Sequence, residues 1–238
     1  MKSDSGTRVF VALDTTASDA AEQLAAQIGG HIDGVKLGLE FFSANGPQGI
    51  ERIRRTGQPV FLDLKFHDIP NTVAGAVRAV LPLEPAIMTV HASGGRAMLS
   101  AAVGAAKEGG TARPLVIAVT VLTSLDERDL REIGQTGRTL DQVLRLADLA
   151  QNAGVDGIVC SPLEVAAVRA RCGKGFTLIV PGIRPSAAEK DDQKRIMTPQ
   201  EAVAAGADIL VIGRPITAAP DPVTAAQGIA AELKRARP

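Results

Sequence analysis

Carboxylates and lysines alternate in the stretch Asp63-Leu-Lys65-Phe-His67-Asp68-Ile-Pro-Asn-Thr72. Residues two apart on a strand share a face, so Asp63 and Lys65 are expected to project together from one extended segment. Asp14 and Lys36, each ending an earlier apolar run, add a further carboxylate and ammonium. Charges at the ends of apolar strands are costly unless paired or used. Interleaved, they compensate one another and keep the lysines protonated. A protonated lysine fixed by carboxylates is a poor nucleophile and a good proton donor. That suits general-acid chemistry at a developing carbanion better than Schiff-base formation. Singly, each part has a plainer reading. Asp-x-Lys can be an ion pair closing a barrel end, and Asp68 ahead of Ile69-Pro70 can be a helix N-cap. His67 and His91 read as hydrogen-bonded structural histidines and His31 as a loop residue, because no grouping has metal-ligand spacing. The conjunction is what points to chemistry.

These residues must be held by a scaffold, and the chain supplies one. Short apolar runs recur at Val9–Leu13, Gly34–Leu37, Pro59–Leu64, Ala86–Val90, Pro114–Val121, Gly157–Val159, Phe176–Val180 and Asp208–Ile212. Near-continuous apolar strands suit a parallel sheet covered by helices. Helical spacing is expected over Asp19–Ile28, Val73–Leu81, Arg96–Lys107, Leu140–Asn152 and Pro222–Arg235. Eight runs in 238 residues leave about 30 residues per unit, the size of a strand, a helix and their loops. The segments Ala153-Gly-Val-Asp156 and Ala205-Gly-Ala-Asp208 echo each other as a helix end leading into a strand. No linker divides the chain and no G-x-G-x-x-G follows the first run, which disfavours an open dinucleotide-binding sheet. The expected fold is α/β, a (β/α)8 TIM barrel forming a single domain over residues 1–238. In such a barrel chemistry sits at the carboxyl ends of the strands. The polar residues there are Asp14, Lys36, Asp63, Lys65, Asp68, His91, Thr123, Arg184 and Arg214.

Composition excludes several classes of function. The 26 basic residues balance the 26 acidic ones, against broad electrostatic binding of nucleic acid or anionic membrane. Six Phe with no Trp or Tyr leave little for stacking bases or caging cations. No run is long and apolar enough for a membrane span. Met1 to Arg8 is polar, unlike a signal peptide, and Cys160 and Cys172 form no disulfide framework. A cytoplasmic protein with incidental buried thiols is expected.

The stretch Asp63–Thr72 resembles the signature of the orotidine 5′-phosphate decarboxylase family. Further landmarks resembling that family follow in order: Val11-Ala-Leu-Asp14, Val35-Lys-Leu-Gly38, Val90-His-Ala92, Val119-Thr-Val-Leu-Thr-Ser124, Pro181-Gly-Ile-Arg184, Asp191-Asp-Gln193 and Val211-Ile-Gly-Arg214. The resemblance spans residues from about 8 to 232 and implies decarboxylation of orotidine 5′-monophosphate to UMP and CO2 without a cofactor or metal. It implies that Lys65 donates the proton that replaces CO2 at C6, within a charged array of Lys36, Asp63, Lys65 and Asp68. It implies a homodimer in which Asp68 and Thr72 reach into the partner's site. Asp14 and Lys36 would hold the ribose, Thr123, Ser124 and Pro181 would lie against the nucleotide, and Arg184, Gln193, Gly213 and Arg214 would enclose the 5′-phosphate.

The phosphate assignment has support of its own. Gly213 lets backbone approach an anion, Arg214 offers a planar fork of donors, and the loop after the eighth strand is a common barrel phosphate site. The polar segment Arg184–Lys194, ahead of a helix starting near Thr198-Pro199, reads either as a solvated loop or as a lid that closes on phosphate. Two other functions stay open: another sugar-phosphate barrel enzyme, such as a magnesium-dependent keto-gulonate-phosphate decarboxylase or a hexulose-phosphate synthase, and a non-catalytic barrel that binds phosphate ligands.

Overall fold

The structure is a computed structural model that describes residues 6–184 and 197–235. Eight parallel strands close into a barrel in sequence order: β1 (Arg8–Ala12), β2 (Gly34–Gly38), β3 (Val60–Phe66), β4 (Ile87–His91), β5 (Leu115–Val119), β6 (Gly157–Val159), β7 (Thr177–Val180) and β8 (Ile209–Ile212). β8 pairs with β1 to complete the ring. Each of the apolar runs read from the sequence is one of these strands, and the fold is a (β/α)8 TIM barrel.

Helices α1 (Ser18–Ile28), α3 (Pro70–Val80), α4 (Gly95–Lys107), α6 (Thr139–Asn152) and α10 (Pro222–Arg235) lie where helical spacing places them. The remaining helices are α2 (Leu39–Arg54), α5 (Glu127–Glu132), α7 (Val165–Cys172), α8 (Pro199–Ala205) and α9 (Arg214–Thr217). Gly46 breaks the period of α2 with φ +60°, and Pro47 follows it inside the helix. The ring of Pro47 cannot donate a helical hydrogen bond, so the helix kinks there. α5 is short and polar, and is started by a reciprocal capping box between Asp126 and Asp129. Thr198 caps α8 in the same manner with Glu201, as the expected helix start requires.

Both faces of the strands are buried, which is why the runs are apolar throughout rather than alternating. Phe10, Phe61, Ile87, Ile117, Ile179 and Ile209 fill the barrel interior, and the rings of Phe10 and Phe61 meet edge to face at 6.2 Å. Outward residues such as Val11, Leu37, Leu62 and Val90 join buried helix residues such as Ile28, Phe41 and Val77 in a second shell.

The amino-terminal end of the barrel is closed by a repeated device. Asp33, Asp156 and Asp208 each directly precede a strand. Their carboxylates accept the backbone N–H of Val9 at 2.8 Å, Val116 at 2.7 Å and Leu178 at 2.7 Å, each on the preceding strand. Asp156 also pairs with Arg113, and Asp208 with Arg169. The two echoed Ala-Gly-x-Asp segments supply two of these three carboxylates, so the sequence repeat marks a repeated hydrogen bond.

Candidate active site

The carboxyl ends of β1, β2 and β3 bring the predicted charges together. Period-two alternation carries the interior face of β3 from Phe61 to Asp63 and that of β4 from Ile87 through Thr89 to His91. Lys36 projects from β2 and donates from Nζ to Asp14 Oδ1 at 2.6 Å. Lys65 Nζ donates to Asp63 Oδ2 at 2.8 Å. In each pair one member is sheltered: the side chains of Lys36 and Asp63 are 12% and 13% exposed, against 57% for Asp14 and 31% for Lys65. Gly38 leaves room for the first pair, since a Cβ there would lie 3.3 Å from Lys36 Nζ and 3.8 Å from Asp14 Oδ1.

Asp63 and Lys65 meet, but not through plain strand alternation. Leu62 pairs with Met88 and Phe66 with Val90, so Thr89 alone stands opposite Asp63, Leu64 and Lys65. Lys65 absorbs this bulge with φ +50°, a left-handed conformation that a non-glycine residue adopts at a cost of about 1–3 kcal/mol. Its N–H donates to Thr89 Oγ1 at 2.9 Å, and the Thr89 hydroxyl donates to Asp63 Oδ1 at 2.8 Å. Thr89 does not stand out in sequence. Threonine is an ordinary strand residue, and its one distinguishing signal is its polarity on the interior face between Ile87 and His91.

His67 and His91 stack with ring centroids 5.2 Å apart, and Ser93 Oγ lies 2.8 Å from His91 Nδ1. Burial pushes the His91 imidazole below its ordinary value, and the neighbouring His67 and Lys65 add to that shift. His31 meets Gln227 in a surface contact. His91 is hydrogen-bonded and His31 lies in a loop, as expected, whereas His67 is exposed and is placed by its ring stack on His91.

Asp68 is not the N-cap of α3. That position belongs to Ile69, whose side chain cannot cap, and Pro70 opens the helix. Asp68 Oδ1 instead accepts the N–H of Ile69 at 2.6 Å, since it lies one residue too early to reach the first free amides of the helix. Its carboxylate is exposed, and among the described residues it forms no ion pair. Thr72 is exposed on the first turn of α3, on the same rim.

The other predicted positions lie along the same end of the barrel. Thr123 and Ser124 occupy the turn after β5, the first half-buried and the second exposed. Pro181 follows β7 directly, and Gly182 turns the chain with φ +74°. Arg184 is buried, and its N–H donates to the Met197 carbonyl at 3.0 Å beside the Ile183–Met197 bridge. Gly213 directly follows β8, and a Cβ there would meet only Ala12 Cβ at 3.6 Å. Arg214 opens α9 and is exposed. Gln193 and nearly all of the Arg184–Lys194 segment lie outside the described residues. Among the described residues no three His, Cys, Asp or Glu side chains gather in a way that could hold a metal ion. Nor is any of their helices long and apolar enough to cross a membrane.

A closed parallel barrel with paired lysines and carboxylates at the carboxyl ends of its strands defines a (β/α)8-barrel enzyme. Comparison with known proteins narrows the class. A model of the orotidine 5′-phosphate decarboxylase / HUMPS family matches residues 7–229. The orotidine 5′-phosphate decarboxylase of Paramagnetospirillum magneticum is 58% identical over 229 residues, covering 94% of this chain and 97% of the relative. That of Rhodospirillum rubrum is 57% identical over 230 residues, covering 94% and 93%. The crystal structure of orotidine 5′-phosphate decarboxylase from Lactobacillus acidophilus superposes with a TM-score of 0.85 at 37% identity, covering 96% of this chain and 99% of that one. The chain belongs to the orotidine 5′-phosphate decarboxylase / HUMPS family.

Proposed function

We propose that this protein decarboxylates orotidine 5′-monophosphate to UMP and CO2, the last step of de novo pyrimidine synthesis, with Lys65 as the proton donor to C6. The observation that carries the reading is the Lys65–Asp63 pair, an ammonium held at 2.8 Å by a largely buried carboxylate at the barrel mouth. The bond between C6 and the carboxylate carbon breaks, and its electron pair stays on C6. The pyrimidine ring delocalises that pair poorly, so the barrier is electrostatic. An ammonium already in place stabilises the charge as it develops without reorganising. A proton then moves from Lys65 Nζ to C6, and the neutral amine regains a proton from solvent.

The remaining residues position the substrate. Asp14 and Lys36 hold the ribose hydroxyls, and Thr123, Ser124 and Pro181 line the base. Arg184, Gln193, Gly213 and Arg214 enclose the phosphate. Binding energy from the phosphate, remote from the reacting carbon, is then available to orient C6 against Lys65. The chain acts as one barrel domain, residues 1–238, in a cytoplasmic homodimer in which Asp68 and Thr72 enter the partner's site. The exposed Asp68 carboxylate supports this, as do the large apolar side chains Leu39, Ile69 and Leu163, left uncovered just beyond β2, β3 and β6. The free, buried thiols of Cys160 and Cys172 suit a reducing compartment.

The test is the ultraviolet absorbance change of orotidine 5′-monophosphate on addition of the purified protein with a chelator present. Turnover to UMP is expected. No turnover, or turnover that the chelator abolishes, contradicts the proposal.

A further inference from the structure

We propose that Thr89 is the positioning residue of this site, its hydroxyl fixing both the bulged backbone of Lys65 and the orientation of the Asp63 carboxylate. The inference rests on the decarboxylase reading for its kinetic consequence and on geometry for its basis.

β3 has more residues than β4 can pair between Leu62 and Phe66, so the ladder is interrupted where Lys65 must be aimed. An amide leaving the ladder in a sheltered place needs another acceptor, because an orphaned buried donor costs about 1–3 kcal/mol. Thr89 Oγ1 is that acceptor, at 2.9 Å from the Lys65 nitrogen. The same oxygen donates its proton to Asp63 Oδ1 at 2.8 Å, while Asp63 Oδ2 receives Lys65 Nζ. Backbone amide, hydroxyl, carboxylate and ammonium thus form a closed ring that leaves and returns to the same residue. Thr89 is fully buried, so water does not substitute for its hydroxyl. Each bond constrains a different coordinate: one holds Lys65 in its left-handed conformation, the other fixes the rotation of the carboxylate that aims Nζ. A β-branched residue suits the post, since its side-chain rotamer is stiff within a strand.

Thr89→Val keeps the shape and removes the hydroxyl, and Thr89→Ser keeps the hydroxyl. Misplacement of a catalytic group by about 1 Å can cost about 10²-fold in rate, so Thr89→Val is expected to lower kcat about 10²-fold. KM should change little, because Thr89 is not assigned to the ribose or phosphate. Thr89→Ser should restore kcat to within a few-fold. A Thr89→Val enzyme with wild-type kcat overturns the inference, as does an equal loss in both variants, which would mark a packing role. Amide exchange of Lys65 in the wild-type protein supplies a readout independent of activity and of variant folding. Strong protection is expected, and exchange at the rate of an open loop overturns the inference. Wild-type protein that leaves orotidine 5′-monophosphate unchanged would instead overturn the decarboxylase reading, with Lys65 amide exchange still deciding the role of Thr89.

Discussion

Lys65 Nζ lies 2.8 Å from Asp63 Oδ2, yet the backbone joining them does not follow a regular strand. Lys65 stands at φ +50°, and the ladder between β3 and β4 slips around it. Strained conformations persist where surrounding structure over-determines them, and they cluster at sites where the strain presents a group. Here the bulge presents an ammonium at the mouth of the barrel while its counter-ion stays sheltered.

The proposed shared site has a consequence for mixed dimers. Lys65→Ala and Asp68→Ala subunits, each inactive alone, are expected to recover about a quarter of wild-type activity when mixed in equal amounts and allowed to exchange. Half of the dimers are then mixed, and one of the two sites in each holds both residues intact. Steady-state assays of the mixture check this, and absence of recovery argues that each chain completes its own site.

Arg214, exposed at the start of α9, is proposed to bind the phosphate. Loss of a charge-assisted, forked contact should weaken UMP by about 10²-fold. Uridine should bind as before, and calorimetry with the two ligands separates the outcomes. Equal weakening of both would place Arg214 elsewhere.

His91 predicts an acid sensitivity. Its imidazole lies below the ordinary value of 6.5 in the folded protein through burial, aided by His67 and Lys65. The folded state therefore binds fewer protons than the unfolded chain below that value. The resulting stability is present above pH 6.5 and is lost as pH falls toward the folded-state value. Carboxylates that are also lowered, such as Glu108 and Asp148, act in a more acidic window. Thermal unfolding followed against pH should show the near-neutral decline, and His91→Asn should flatten it.

At the opposite end of the barrel, Asp156 accepts the Val116 N–H and pairs with Arg113. Asp156→Ala is expected to cost about 2–3 kcal/mol in urea unfolding, because it removes a hydrogen bond to a charged group and strands the guanidinium. kcat should be unchanged, since Asp156 lies at the end of the barrel away from the mouth.

The strands are legible in sequence because parallel strands buried on both faces must be apolar throughout, and the runs around Phe10, Ile117 and Leu178 show it. α6 and α10 are legible from their period. α2 is not, because Gly46 and Pro47 interrupt its pattern while tertiary packing carries the helix through. Asp14, Lys36, Asp63 and Lys65 are legible as charges stranded at the ends of apolar runs. The bulge that aims Lys65 is not, since strict alternation already places Lys65 beside Asp63 and hides the irregularity. Thr89 escapes notice because its importance lies in two hydrogen bonds to β3, a relation between strands that spacing along one strand does not encode.

Replacement of Lys65 by alanine tests the proton-donor role most directly. The variant should remain folded, since Lys65 is partly exposed and Asp63 keeps its bond to Thr89. Turnover of orotidine 5′-monophosphate should fall about 10³-fold or more, as befits loss of both the proton donor and the charge facing the carbanion. UMP should still bind. A Lys65→Ala enzyme with near-normal kcat would contradict the assignment.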